Sequence, residues 1–123
     1  MTVVITVEQV MLVYAELDAG LLGDRGKLEG AVNAPFATFD ALDLYPSLVD
    51  KASKLVEAIV TAHAFDDGNK RLAWQSSVTF LELNGLVLID VPDEEVDRVV
   101  RDLEAKRIPR EVLTLWISDR LAD

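Results

Sequence analysis

The sequence predicts an all-α fold, one domain spanning residues 1–123. Two observations carry this. Apolar residues recur at helical spacing in long blocks, and Gly, Pro and hydroxyl or acidic residues punctuate those blocks where helix ends belong. Only Leu86 to Ile89 reads as a β-like run. The pattern gives about six helices with little sheet, a helical bundle.

Thr6 and Gln9 have the spacing of a capping box. Val7, Val10, Met11, Tyr14 and Leu17 then form a helical stripe that Gly20 ends. The stretch from Gly20 to Gly26 holds three glycines and reads as a loop. A short helix is expected over Lys27 to Asn33, ending before Pro35. Pro35 to Leu44 has no clear period; it is either a surface connection packed down by Phe36 and Phe39, or a small hairpin or flap between residues 35 and 45.

Pro46 suits a first helical turn, where its missing N–H costs little. Leu48, Ala52, Leu55, Ile59 and Ala62 then share a face, with Asp50, Lys51, Lys54, Glu57 and Thr61 mostly toward solvent, so a long amphipathic helix ends near His63. A second long helix is expected from Asn69 to Asn84, stopped by Gly85. Val78 and Leu81 lie on one of its faces and Trp74, Ser77 and Phe80 on another, which predicts burial on more than one side. Asp93, Glu94 and Glu95 open a helix whose dipole they complement, with Val96, Val99, Val100 and Leu103 inward. Pro109 opens the last helix, with Val112, Leu113, Leu115 and Trp116 as packing residues.

Half the residues are apolar, which excludes a disordered chain. The net charge of −10 argues against nucleic acid as a partner, because phosphate backbones call for clustered Lys and Arg. There are no cysteines, so disulfides and thiolate catalysis are excluded, in keeping with a cytoplasmic protein. The apolar N-terminus carries Glu8 and no basic region, a poor signal peptide. No run of about 20 apolar residues exists to span a membrane.

The chemistry concentrates in His63-Ala64-Phe65-Asp66-Asp67-Gly68-Asn69-Lys70-Arg71. His63, the single histidine, can take a proton near neutrality. Asp67 is an oxygen ligand suited to Mg²⁺, or an aspartate that caps the following helix. Asp66 is read as solvated. Gly68 lets the backbone turn and come close to a phosphate, and the N–H groups from Gly68 to Arg71 are expected to form an anion nest. Lys70 and Arg71 place two cations at a helix start, where the dipole disfavours them. That local conflict points to function. Arg71 can grip phosphate oxygens bidentately, with Lys70 a point charge.

This stretch resembles the signature of the Fic/Doc superfamily, and its Doc (death-on-curing) toxin branch in particular. The general Fic pattern is His-x-Phe-x-Asp/Glu-Gly-Asn-Gly-Arg-x-x-Arg, and Doc proteins put lysine at its second glycine, as Lys70 does. His63, Phe65, Asp67, Gly68, Asn69, Lys70 and Arg71 all match. The likeness extends to Lys27-Leu28-Glu29, Asp43-Leu44-Tyr45-Pro46 and Phe80-Leu81-Glu82-Leu83-Asn84-Gly85. Ala64 replaces the proline common between His and Phe, and Trp74 stands where Fic proteins have a second arginine.

The resemblance implies a helical fold whose flap, here residues 35–45, lines the target site. It implies His63 as general base, Asp67 as metal ligand, and Gly68, Asn69, Lys70 and Arg71 as the phosphate and ATP site, with ATP and Mg²⁺ as cofactors. Lysine in place of glycine implies a reversed nucleotide and transfer of the γ-phosphate to a Thr or Ser hydroxyl. In the Doc branch the protein substrate is translation elongation factor Tu, and translation stops. The alternatives are Fic-type AMP transfer to a protein hydroxyl, or an inactive helical binding module. Some Fic proteins carry an inhibitory Ser/Thr-x-x-x-Glu-Gly/Asn helix. Only Ser53 and Glu57 have that spacing, and Ala58 follows, so inhibition is expected in trans from a small antitoxin that folds against the toxin.

Overall fold

The computed structural model describes residues 1–17 and 20–123. Its elements are α1 (Val7–Leu17), α2 (Arg25–Asn33), a 3₁₀ turn (Ala34–Phe36), β1 (Thr38–Phe39), β2 (Leu42–Asp43), α3 (Leu48–Ala62), α4 (Asn69–Leu83), α5 (Asp93–Glu104) and α6 (Arg110–Ser118). The all-α expectation holds, with six helices among the described residues. The predicted end of the first helix, at Asp18 and Ala19, lies outside those residues.

Helix α3 is the axis of the bundle. Helices α2, α4, α5 and α6 all pack on it, and α1 lies against α4. Ala52, Leu55, Val56, Ile59 and Val60 of α3 are almost wholly excluded from water. Leu72, Ala73, Phe80 and Leu81 of α4 are buried with them. The α3–α4 contact also holds a polar pin, in which the buried Ser77 hydroxyl donates to the Ala52 carbonyl at 2.9 Å. Each large aliphatic side chain buried in this way contributes roughly 1.5–3 kcal/mol.

Local chemistry sets most helix starts. Thr6 and Gln9 close the expected capping box: the Gln9 N–H donates to Thr6 Oγ1 and the Thr6 N–H to Gln9 Oε1. Helix α2 begins two residues before the predicted Lys27, because Asp24 caps it and accepts from the Lys27 N–H. Pro46 is not in the first turn of α3. Ser47 is the N-cap, in a reciprocal box with Asp50, and Pro46 stands outside the helix. Leu86 to Ile89 forms no ladder; Leu88 makes one isolated antiparallel bridge to Leu121. On α6, Leu113 and Ile117 are buried, whereas Val112 and Leu115 are exposed, contrary to the packing role read for them.

Residues 37–44 resolve the choice between loop and hairpin. Thr38 pairs with Asp43 and Phe39 with Leu42. Asp40 and Ala41 between them both have positive φ, as a tight two-residue hairpin turn requires. Phe36 packs edge-on against Phe80, whereas Phe39 is exposed, so of the two aromatic residues only Phe36 packs this segment down.

Lys51 overturns the solvent-facing expectation. It is 3% exposed, and its ammonium donates to Asp43 Oδ2 at 3.0 Å and to the Tyr45 carbonyl. The hairpin folds back over α3, and this brings an acid and a carbonyl to a position that the helical period left facing out. Lys54 and Arg110 then flank the Tyr45 ring at 5.4 and 4.9 Å. Asp43 is half exposed, so loss of the lysine leaves the Tyr45 carbonyl without its donor and opens a cavity, while water can take over the carboxylate. Lys51→Ala should therefore cost about 2–4 kcal/mol in urea unfolding, and Lys51→Met clearly less. Equal unfolding midpoints for Lys51→Ala and the parent chain would show that the tether carries no stability.

Candidate active site

The motif loop is held by what lies under it. Helix α3 ends at Ala62, and His63 takes the left-handed conformation at its C-terminus, with φ 49° and ψ 47°. This conformation favours glycine and costs a histidine on the order of 1 kcal/mol. The chain then turns inward. Ala64 and Phe65 are 3% exposed, and the Phe65 ring stacks on Tyr14 with centroids 3.7 Å apart. The Phe65 ring thereby anchors the loop in the core.

The segment 20–24 forms a cradle for this turn. Leu22 bridges Phe65, and the N–H groups of Gly23 and Asp24 both donate to the Ala64 carbonyl. Asp66 is not merely solvated. Its N–H donates to the Leu21 carbonyl, and its Oδ1 accepts from the Leu21 N–H at 2.6 Å. Gly20 has to be glycine here, because a Cβ would collide with Asp66 Oδ1. The Tyr14 hydroxyl donates to the Gly20 carbonyl. Burial first, then the carboxylates of Asp66 and Asp67, push this hydroxyl above the ordinary tyrosine range.

Asn69 closes the loop from the other side. Its Nδ2 donates to the Phe65 carbonyl at 2.9 Å, and its Oδ1 accepts from the Phe65 N–H. Its carbonyl oxygen and one Nδ2 hydrogen are therefore committed to the fold, and the second Nδ2 hydrogen and the main-chain N–H remain for a ligand. Gly68 has φ 83° and is the N-cap of α4, where no side chain caps the helix. The Gly68 N–H donates to Asp67 Oδ1, which narrows the expected nest. Three donors remain: among the described residues no group accepts from the main-chain N–H of Asn69, Lys70 or Arg71. Three open amides at a helix N-terminus form an anion site.

Charged side chains complete a cleft of about 350 Å³ over these amides. Arg71 is exposed and makes no ion pair among the described residues. Lys70 reaches Glu104 Oε1 at 3.3 Å, and the other oxygen of that carboxylate lies 3.7 Å from His63 Nε2. His63 is otherwise open to solvent. Sequence reasoning missed Glu104 and its neighbour Arg101 on α5, which also line the cleft. One signal was present: Glu104 is an acid at the C-terminal end of a helix, against the dipole.

Asp67 bears on the Mg²⁺ expectation. One oxygen caps the Gly68 N–H and the other is free, so capping and metal binding are compatible. No cluster of three metal-ligating side chains exists among the described residues. The donor set fits Mg²⁺ only where phosphate oxygens and water supply the remaining ligands, the usual manner for this ion.

The family model described as the Fic/DOC family matches residues 4–81. The chain belongs to the Fic/DOC family. A curated relative, Toxin Doc of Mycolicibacterium smegmatis, is 47% identical over 75 residues, 61% of this chain and 56% of that protein. The chain thus spans somewhat over half the length of the curated relative it matches. The matched residues include α1, the cradle, the hairpin, α3, the motif loop and most of α4, while α5 with Glu104 lies beyond them. No helix of the described residues is long and apolar enough to cross a membrane.

Two predictions test how the cradle supports the site. Gly20→Ala should displace Asp66 and cost about 1–3 kcal/mol, the range for forced overpacking, read by thermal unfolding. For Tyr14, the folded state holds the phenolic proton more tightly than the unfolded chain does. That contribution is complete below the unfolded value near ~10 and is lost as pH rises through the higher folded value. Wild type should therefore lose stability more steeply than Tyr14→Phe above that pH; parallel curves would refute the coupling.

Proposed function

We propose that this protein is the toxin of a toxin–antitoxin pair and acts in the cytoplasm as an ATP-dependent protein kinase. It would transfer the γ-phosphate to a Thr or Ser hydroxyl of translation elongation factor Tu and so arrest translation. The observation that carries the reading is the set of three open amides of Asn69, Lys70 and Arg71, between two cationic side chains, with the exposed imidazole of His63 across the cleft. Membership of the Fic/DOC family and the likeness to a Doc toxin support it.

The residues divide the work as follows. The amides and Arg71 hold the terminal phosphoryl group and stabilise the charge that spreads over its oxygens in the transition state. A neutral nitrogen of His63 accepts the proton of the attacking hydroxyl as its oxygen forms the new bond to phosphorus. The bond between the γ-phosphorus and the bridging oxygen breaks, and ADP leaves with the electron pair. Asp67 would hold Mg²⁺, which neutralises phosphate charge when bound. Lys70 must exchange its contact with Glu104 for one with phosphate.

Two features favour γ-phosphate over AMP transfer. Lys70 puts a cationic side chain at the helix start where Fic proteins of the AMP-transferring kind have glycine. Trp74, at the place of the second Fic arginine, is buried edge-on against Trp116 and offers no cation. Purified protein with Mg²⁺, elongation factor Tu and ATP labelled at the α or γ position tests this directly. Label should pass only from the γ position, and His63→Ala should reduce transfer at least about 100-fold, within the range for a lost general base. Transfer from the α position alone would replace the kinase reading with nucleotidyl transfer. Inhibition is proposed to come from an antitoxin in trans, so bacterial growth arrest by the wild type, and not by His63→Ala, should be relieved by the co-expressed antitoxin.

A further inference from the structure

The chain has five lysines in all. Lys51 is buried and Lys70 belongs to the motif loop. The other three, Lys27, Lys54 and Lys106, line one groove of about 480 Å³. In a protein of net charge −10, this gathers every lysine outside the core and the motif loop onto one surface. They come from three separate elements: Lys27 from α2, Lys54 from α3 and Lys106 from the turn after α5. The groove runs along α3 past Ala58 to Ala62, the residue before His63. Glu104 lines both this groove and the motif cleft, so the two adjoin there.

The acids of the groove are already engaged. Glu57 pairs with Lys54 at 2.9 Å, and Glu104 pairs with Lys70 at 3.3 Å. Lys27 and Lys106 have no acidic partner among the described residues. Lys106 also stands at φ 62°, a left-handed position after a helix end where glycine is cheaper, so stability alone does not account for a lysine there. The floor is small and open, and a Cβ on Gly30 would meet nothing within 4 Å.

We propose that this groove docks the acceptor segment of the protein substrate and selects one whose Ser or Thr is flanked by Asp or Glu. The selection of a hydroxyl-bearing segment rests on the kinase reading; the docking of an acidic extended peptide does not. From Lys54 to Ala62 the helix rises about 12 Å, the length of about four extended residues. The acidic side chains would therefore fall within about four positions of the acceptor hydroxyl. Charge complementarity of this kind sets specificity and encounter rate more than raw affinity.

The test is fluorescence anisotropy with dye-labelled decapeptides that carry one central Thr flanked by Asp and Glu, by Ala and Gln, or by Lys. The acidic peptide should bind at least about ten-fold more tightly than the other two, with affinity falling as salt is raised past the screening range. Lys27→Glu combined with Lys106→Glu, both on exposed side chains, should abolish that preference, whereas Arg71→Ala, at a residue that lines the phosphate cleft and not the groove, should leave it intact. Equal binding of the three peptides, or none, overturns the proposal. So does binding lost in Arg71→Ala but kept in the double variant, which would place the peptide in the phosphate cleft. Self-association abolished by the double variant would assign the groove to a second copy of the chain and also overturn it. The labelled-ATP assay fails or succeeds separately, so a wrong kinase reading and a wrong docking surface are distinguishable.

Discussion

The site depends on one buried contact, the Phe65 ring stacked on Tyr14 beneath the motif loop. A loop joining two helices ordinarily satisfies its own amides or gives them to water. Here the aromatic anchor, the bridge from Leu22 and the two-way hydrogen bond of Asn69 hold the loop from below and from within. The amides at the start of α4 are then left facing outward. The donors are pre-organised by a loop whose backbone strain falls on His63, while the left-handed turn at Gly68 costs a glycine little.

Electrostatics adds a second layer. Lys70 and Arg71 oppose the dipole of α4, and Glu104 opposes the dipole of α5. Each conflict eases in the presence of the other, because the two helix ends meet and the carboxylate faces the ammonium. The pairing is partly exposed and hence weak, so an incoming phosphate can displace it. Near the other end of α3, the buried Lys51 does the reverse. It is held by an acid and a carbonyl from the hairpin and ties that exposed ribbon to the core.

Much of this was legible in the residues. The stripe of α3, the stop at Gly85, the Thr6 box and the motif from His63 to Arg71 are local patterns, and local patterns survive folding. Lys51 misled because helical period reports only which face a residue occupies, and cannot say whether another segment later covers that face. Asp66 is exposed as read, but its bond to Leu21, 45 residues away, leaves no local signal. Val112 and Leu115 look like core residues by type, yet α6 turns only one narrow face to α3.

What the sequence determined by itself was the helical class, the identity of the chemical groups and the family. These follow from periodicity, capping and closely spaced motif residues, all interactions within a few positions of one another. Only the tertiary structure decided which groups meet. It set Glu104 against Lys70 and His63, put the 20–24 segment under the motif loop and drew Lys27, Lys54 and Lys106 to one groove. Those meetings join residues far apart in the chain, and the packing of α2, α3, α4 and α5 around a shared core sets their distances.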